Sequence, residues 1–168
     1  RMFDSNPDLV GDLSGKHILE VGSGTGLVGF VVELLEHNAR SNLTENQLSK
    51  TRCFELLWGK DPVASLPSDS PPYDAIFGVD LIYAKEVHEL LLETFWALGD
   101  MGARPPTVYL AYIKRFPWES RFFELMDMLF QCTLAYSEAG IEIFKFTPRD
   151  GVTWGSGGIA DLLLPKTL

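Results

Sequence analysis

The stretch ILEVGSGTGLVG, residues 18–29, decides the fold of this chain. Its apolar start is typical of a strand, and Gly22, Gly24 and Gly26 then follow at alternate positions ahead of a segment with helical character. Glycine has no Cβ, so the backbone can take positive φ angles and let a ligand come close. A strand that leads through a glycine-rich turn into a helix is how doubly wound α/β domains hold a nucleotide-like cofactor.

The composition indicates one globular domain with a real core. The chain has 168 residues, 46% of them apolar, which predicts a single domain over residues 1–168 with a lead-in at 1–15 and a tail at 148–168. The formal net charge is -9. Because an anionic surface repels phosphate backbones, we do not expect nucleic acid as a partner.

The apolar runs and the cysteines exclude two further classes of protein. The most apolar segments, residues 27–35 and 107–113, are far shorter than the ~20 residues that span a bilayer, so no membrane partner is expected. Cys53 and Cys132 lie far apart without a nearby histidine pair, which predicts reduced, buried thiols and no metal site. We expect a cytoplasmic protein, with the nucleus as the alternative, and a piece of a longer chain because the sequence starts at Arg1.

The hydrophobic pattern alternates between strands and helices. Strands are predicted at 16–21, 52–57, 73–79 and 107–113, helices at 27–38, 87–98 and 119–130, and an antiparallel strand pair at 131–137 and 141–146. Leu90, Leu91 and Phe95 belong to the clearest helical face. This order predicts an α/β, Rossmann-like, doubly wound and mostly parallel sheet with helices on both faces and a C-terminal antiparallel hairpin.

Four motifs in a fixed order resemble the seven-strand (class I) S-adenosylmethionine-dependent methyltransferases. They are ILEVGSGTGLVG, LLWG at 56–59, DLIY at 80–83 and LAYIKR at 110–115. The glycines alone also satisfy the dinucleotide pattern, but Glu20 ahead of them and the three later motifs favour a methyltransferase. Over residues 13–147 the chain most resembles the methyltransferase-like protein-lysine methyltransferases that lack a SET domain. The resemblance implies an N-methyltransferase that acts on lysine side chains of a protein substrate.

The resemblance also implies a set of cofactor-binding residues. They are Glu20, Gly22, Gly24, Thr25, Gly26, Trp58 and Asp80. Glu20 would face the ammonium group of S-adenosylmethionine, and Trp58 would border its adenine ring. The alternatives are a capping carboxylate at a strand end for Glu20 and a core tryptophan for Trp58.

Asp80 and Tyr83 are the predicted catalytic residues. They follow the carboxyl end of a predicted strand, where the ligand crevice of an open α/β sheet lies. By resemblance they shape the place where the lysine amine meets the methyl group. A helix N-cap for Asp80 and a packing role for Tyr83 are the alternatives. Arg115 matches a recurrent arginine of the family, and a plain exposed charge is an equal alternative.

One part of the family pattern is absent from the sequence. Before residue 52 the fold needs a second strand that ends in an acidic residue for the ribose hydroxyls, and the sequence contains no such strand. We expect roughly a dozen residues to be missing near Phe30 and Val31. Without that carboxylate, a catalytically inactive cofactor-binding interaction module is one alternative function. A small-molecule or other methyltransferase on the same fold is another.

Overall fold

The structure, a computed structural model, describes residues 10–22, 28–59, 61 and 63–154, with side chains in the first helix described from Val32 onward. The strands are β1 (Ile18–Val21), β2 (Ala75–Val79), β3 (Thr107–Ile113), β4 (Phe130–Glu138) and β5 (Ile141–Pro148). The α-helices are α1 (Val28–Asn42), α2 (Glu45–Leu48), α3 (His88–Gly99) and α4 (Ser120–Met126).

The described strands form one mixed sheet in the order β1-β2-β3-β5-β4. β1 and β3 both pair with β2 in parallel, whereas β5 is antiparallel to β3 and to β4. The predicted parallel start and the antiparallel C-terminal hairpin are therefore confirmed. Because Val21 lies opposite Gly78 and Gly78 opposite Leu110, the carboxyl ends of the three parallel strands meet at one edge of the sheet.

One face of the sheet packs against α3 and α4. Leu91, Leu92 and Phe95 of α3 and Phe122 and Met126 of α4 are fully buried in a single apolar cluster that includes strand residues. Burying each such side chain stabilises the fold by about 1.5–3 kcal/mol. This cluster fixes the two helices that follow β2 and β3, and with them the loops at the carboxyl edge.

The bounds of these two helices differ from the predicted ones. Leu90 was predicted on the buried face of α3 but is 42% exposed, since that face is centred on Leu91, Leu92 and Phe95. α4 ends at Met126, earlier than predicted. The N–H of Leu129 donates to the Met126 carbonyl, and the chain then enters β4.

The predicted strand at 52–57 is wrong. The segment joins no described strand, although Phe54, Leu56 and Trp58 pack against the core at every second position. In the doubly wound order the third strand pairs with the second. Within the described residues no strand lies between β1 and β2 along the chain, so residues 52–57 have no neighbour to pair with.

α1 runs through Phe30 and Val31 as one continuous helix, and no strand lies between it and β2 in the described residues, so the segment predicted to be missing from the family pattern has no counterpart there. No glycine or proline occurs between Phe30 and Asn42, so nothing in the sequence ends the helix there. None of the α1 side chains from Val32 onward is buried. The prediction of helices packed on both faces of the sheet is therefore not met in the described part of the chain.

The segment after β5 returns to α3. Arg149 N–H donates to the Leu129 carbonyl, and the Trp154 ring stacks on Trp96 with centroids 5.2 Å apart. Gly99 makes room for this contact, because a Cβ there would overlap the Trp154 ring. Residues 149–154, predicted as the start of a tail, thus pack against the body, while the apolar patch at 159–164 lies outside the described residues.

Candidate functional site

A large cleft runs along β1 and the facing residues 49–58, from Gly15 before the strand to Gly22, Asp80 and Tyr83 beyond the carboxyl ends of β1 and β2. It encloses about 1220 Å³, and its lining includes Glu20, Gly22, Trp58, Asp80 and Tyr83. Pockets for small ligands typically measure about 300–1,000 Å³, so this cleft has room for a nucleoside-sized group. The structure thus brings five of the predicted site residues together. The remaining three, Gly24, Thr25 and Gly26, lie outside the described residues.

Gly22 shows why a glycine follows β1. Its φ is +78°, and a Cβ at this position would overlap the Leu81 side chain and lie 3.4 Å from Cζ2 of Trp58. Any larger residue would be strained by the backbone angle and would also push on these two side chains. The turn after β1 therefore packs closely against Leu81 and Trp58 beside the cleft.

Trp58 and Glu20 both line the cleft. Trp58 is half-buried, packs partly against the core and also lines the cleft. The next residue, Gly59, donates its N–H to the buried Thr94 hydroxyl at 2.9 Å, which ties the Trp58 segment to α3. Glu20 is exposed on β1 opposite Phe77.

Asp80 occupies the first position after β2. Its φ of 57° is left-handed, a conformation that aspartate tolerates better than most residues, and its N–H donates to the Ala111 carbonyl at 2.8 Å. Its carboxylate accepts two hydrogen bonds from Arg115, from Nη1 at 2.5 Å and from Nη2 at 3.0 Å. The N-cap alternative is wrong, because the following 3₁₀ turn begins at Lys85 with Ala84 as its N-cap.

Residues 115–119, which follow β3, hold the turn after β2 at a second point. Nε1 of Trp118 donates to the Tyr83 carbonyl at 3.2 Å, and the Trp118 ring stacks on Phe116 with centroids 4.4 Å apart. The N–H of Arg115 donates to Oε2 of Glu119 at 3.0 Å, and Glu119 is only 1% exposed. A buried carboxyl group thus anchors the segment from inside. The sequence predictions missed Trp118 and Glu119, although the turn signal of Pro117 marks the segment.

His88 also contacts the turn after β2. It is buried, and its Nε2 lies 2.8 Å from the Ile82 carbonyl, while Nδ1 has no hydrogen-bond partner in the described part of the chain. Its ring packs edge-on against Phe122 with centroids 5.6 Å apart. These contacts give His88 a structural role.

Two electrostatic features follow from this packing. The hydrogen bond to the Asp80 carboxylate raises the pKa of Arg115 above its ordinary value, so this guanidinium stays cationic. Both cysteines are free thiols, and burial raises the pKa of Cys132 to about 11 and that of Cys53 in the same direction. Among the described side chains, no group of three or more potential ligands could hold a metal ion.

Comparisons with known proteins place these features in a family. The sequence model of the lysine methyltransferase family matches residues 5–129. The chain is 29% identical over 150 residues to protein N-lysine methyltransferase METTL21A of Xenopus tropicalis, covering 80% of this chain and 66% of that protein. It is 30% identical over 152 residues to METTL21A of Danio rerio, covering 80% and 67%.

A third relative extends the comparison. Protein-lysine methyltransferase METTL21E of Bos taurus is 32% identical over 153 residues, which cover 80% of this chain and 51% of that protein. The chain therefore spans about two thirds of the METTL21A relatives and about half of METTL21E. None of the helices in residues 10–154 that the structure describes has both the length and the apolar content for a membrane crossing.

Proposed function

Because this chain belongs to the lysine methyltransferase family, we propose that it transfers a methyl group from S-adenosylmethionine to the side-chain nitrogen of a lysine in a protein substrate. Membership of the family implies this cofactor and this class of acceptor. The observation that carries the proposal is that Glu20, Gly22, Trp58 and Asp80 line one cleft that reaches the carboxyl edge of the sheet.

Different cleft residues would contact different parts of the cofactor. We assign Glu20 to the ammonium group, Trp58 to the adenine ring, and the backbone at Gly22 to close approach. By resemblance, Gly24, Thr25 and Gly26 complete this set. When bound, the cofactor supplies a methyl group on a sulfonium with a neutral leaving group, so little acid catalysis is needed and alignment carries most of the rate.

The acceptor lysine must arrive as a free amine. An unperturbed lysine has a pKa of ~10.4, so almost all of it is protonated at neutral pH. Asp80 and Tyr83 both line the cleft, and by resemblance they shape the place where the amine would meet the methyl group. Although Arg115 bonds both Asp80 oxygens, a carboxylate has about four lone-pair sites, so Asp80 can still accept an N–H and orient the amine.

The test is methyl transfer from radiolabelled S-adenosylmethionine to a heat-inactivated cell extract. We expect Asp80→Asn and Tyr83→Phe to lose about 100-fold in labelling rate, the scale of a misplaced reactant. The matched controls are Asp127→Asn, which removes another aspartate paired with an arginine, and Tyr136→Phe, which removes a tyrosine hydroxyl outside the cleft. Full activity in both site variants would remove these residues from the mechanism.

One observation favours a second function, an inactive cofactor-binding module. In the described residues no strand follows β1 before β2, so the acidic strand end expected at the ribose is absent. Calorimetric titration with S-adenosylmethionine separates the functions. Binding with labelled protein supports the methyltransferase. Binding with label only on small molecules indicates a small-molecule acceptor, binding with no labelled product supports the inactive cofactor-binding module, and no binding contradicts all three.

A further inference from the structure

We propose that Arg115 is a positioning residue for the acceptor lysine, because it converts the Asp80 carboxylate into half of a neutral ion pair at the place where the amine arrives. The proposal rests on the proposed lysine methyltransferase function. It assigns to Arg115 a role in positioning the lysine that neither the glycine-rich turn nor the DLIY motif predicts.

The geometry of the pair is fixed from three directions. The two Nη atoms of Arg115 bond the two Asp80 oxygens, and a planar guanidinium that bonds a carboxylate in this way sets its orientation. The backbone of Arg115 is anchored by the buried Glu119. The backbone of Asp80 is anchored by its bond to Ala111 and by its left-handed turn.

The charge state of this pair controls the reactivity of the amine. A lone carboxylate within ~4–6 Å favours an ammonium and raises its pKa by about 1–3 units, which depletes the nucleophile. A carboxylate that is already paired with Arg115 raises the pKa of the lysine ammonium much less. The lysine ammonium can then release one proton to solvent before the reaction.

The transfer itself balances without a further base. The amine nitrogen forms the new N–CH₃ bond as the S–CH₃ bond breaks, and the electron pair of the broken bond stays on the neutral sulfur. The product is a methylammonium that keeps its two remaining protons. Asp80 therefore orients the amine by accepting an N–H, and Arg115 keeps that contact from trapping the protonated form.

Other charged groups surround the pair and are the same in every variant compared. The titratable side chains on the neighbouring segments are Glu20, Tyr83, Lys85, Glu86, His88, Lys114 and Glu119, and the buried Glu119 lies directly against Arg115. Since they are unchanged, a shift of the pH profile between variants reports the removal of the Arg115 charge.

The experiment measures the rate of labelling of the heat-inactivated extract at saturating radiolabelled cofactor, from about pH 6 to pH 10. For Arg115→Gln we expect the midpoint of the pH profile to rise by about one unit. Labelling at pH 7 then falls about tenfold and recovers at the alkaline end. Arg115→Lys keeps the cation but loses the two-point bond to Asp80, so its pH midpoint should stay close to wild type while its rate falls at every pH. Arg121→Gln, which removes an exposed arginine paired with Glu124, is the matched control.

Three outcomes decide between the possibilities. A rate that falls equally at every pH in Arg115→Gln would mean a merely structural role and would overturn the proposal. In an Asp80→Asn background, Arg115→Gln should produce no further shift of the midpoint, and an equal shift there would also overturn it. If the wild-type chain labels no protein at all, the proposed function itself fails, which is a different result from an active enzyme with an unmoved profile.

Discussion

Gly78→Ala tests how tightly the turn after β2 is packed. A Cβ at Gly78 would lie 2.5 Å from Cδ1 of Leu81 and 2.7 Å from Cδ2 of Leu110, and both leucines are buried. Overpacking of this kind costs about 1–3 kcal/mol. Replacing a strand glycine by alanine returns about 0.5–1 kcal/mol. We expect the free energy of unfolding to fall by about 1–2 kcal/mol.

A double-mutant cycle with Leu81 isolates the cause. Leu81→Ala alone should cost about 2–4 kcal/mol through the cavity it leaves. In that background the new methyl of Gly78→Ala meets space on the Leu81 side, so the two changes should be less than additive by about 1–2 kcal/mol. Urea unfolding followed by circular dichroism measures the four proteins, with equal m values as the check on two-state behaviour.

Gly22→Ala extends the same test to the other side of Leu81. Its Cβ would also overlap Leu81, and its φ of +78° adds about 1 kcal/mol of backbone strain, so this variant should be the less stable of the two. Additive free energies in the cycle, or a Gly78→Ala protein as stable as wild type, would refute the packing argument.

Three further predictions concern the site, acid stability and thiol reactivity. Trp58→Ala should weaken binding of S-adenosylmethionine about tenfold by calorimetry, since a stacked aromatic contact is worth about 0.5–1.5 kcal/mol beyond its buried area; unchanged affinity would remove Trp58 from the adenine site. The pKa of Asp74 is lowered chiefly by the N–H of His17, so its contribution to stability is present above the unfolded pKa of about 3.9 and is lost as pH falls through the folded pKa. Asp74→Asn should therefore flatten the acid side of a plot of Tm against pH, and an unchanged slope would contradict this. Iodoacetamide should alkylate Cys132, whose pKa is about 11, more slowly at pH 8 than Cys53, as peptide mass spectrometry can check; equal rates would argue against the difference in burial.

Local pattern was sufficient where an element depends on its own residues. The strand at 107–113 and the hairpin around Ala139 and Gly140 follow from apolar runs and a glycine turn, and the structure confirms both. The prediction of a strand at 52–57 was wrong because a strand needs a neighbouring strand to pair with. The composition of a segment does not show whether such a neighbour exists. The prediction that Leu90 is buried was wrong because helical periodicity defines an apolar face but not how that face is rotated against the sheet.

The candidate site divides in the same way. The motifs predicted Glu20, Gly22, Trp58 and Asp80, and these residues do line one cleft. The contacts that hold the site could not be predicted, because each joins residues 35 positions apart: Arg115 with Asp80, and Trp118 with Tyr83. Such pairs form only when β2 and β3 lie side by side. The periodicity within either segment does not predict that the two strands are neighbours.

The return of Trp154 to α3 gives the chain a built-in optical reporter. Its ring stacks on Trp96 and meets Phe130 edge-on at 5.3 Å, so the near-ultraviolet circular dichroism of the indoles depends on docking of the segment after β5. The far-ultraviolet signal depends on the strands and helices instead. A shortened chain that ends at Pro148 keeps all five described strands but loses this indole pair. Comparing the two spectral regions therefore distinguishes a protein whose last segment has detached from one whose sheet has unfolded.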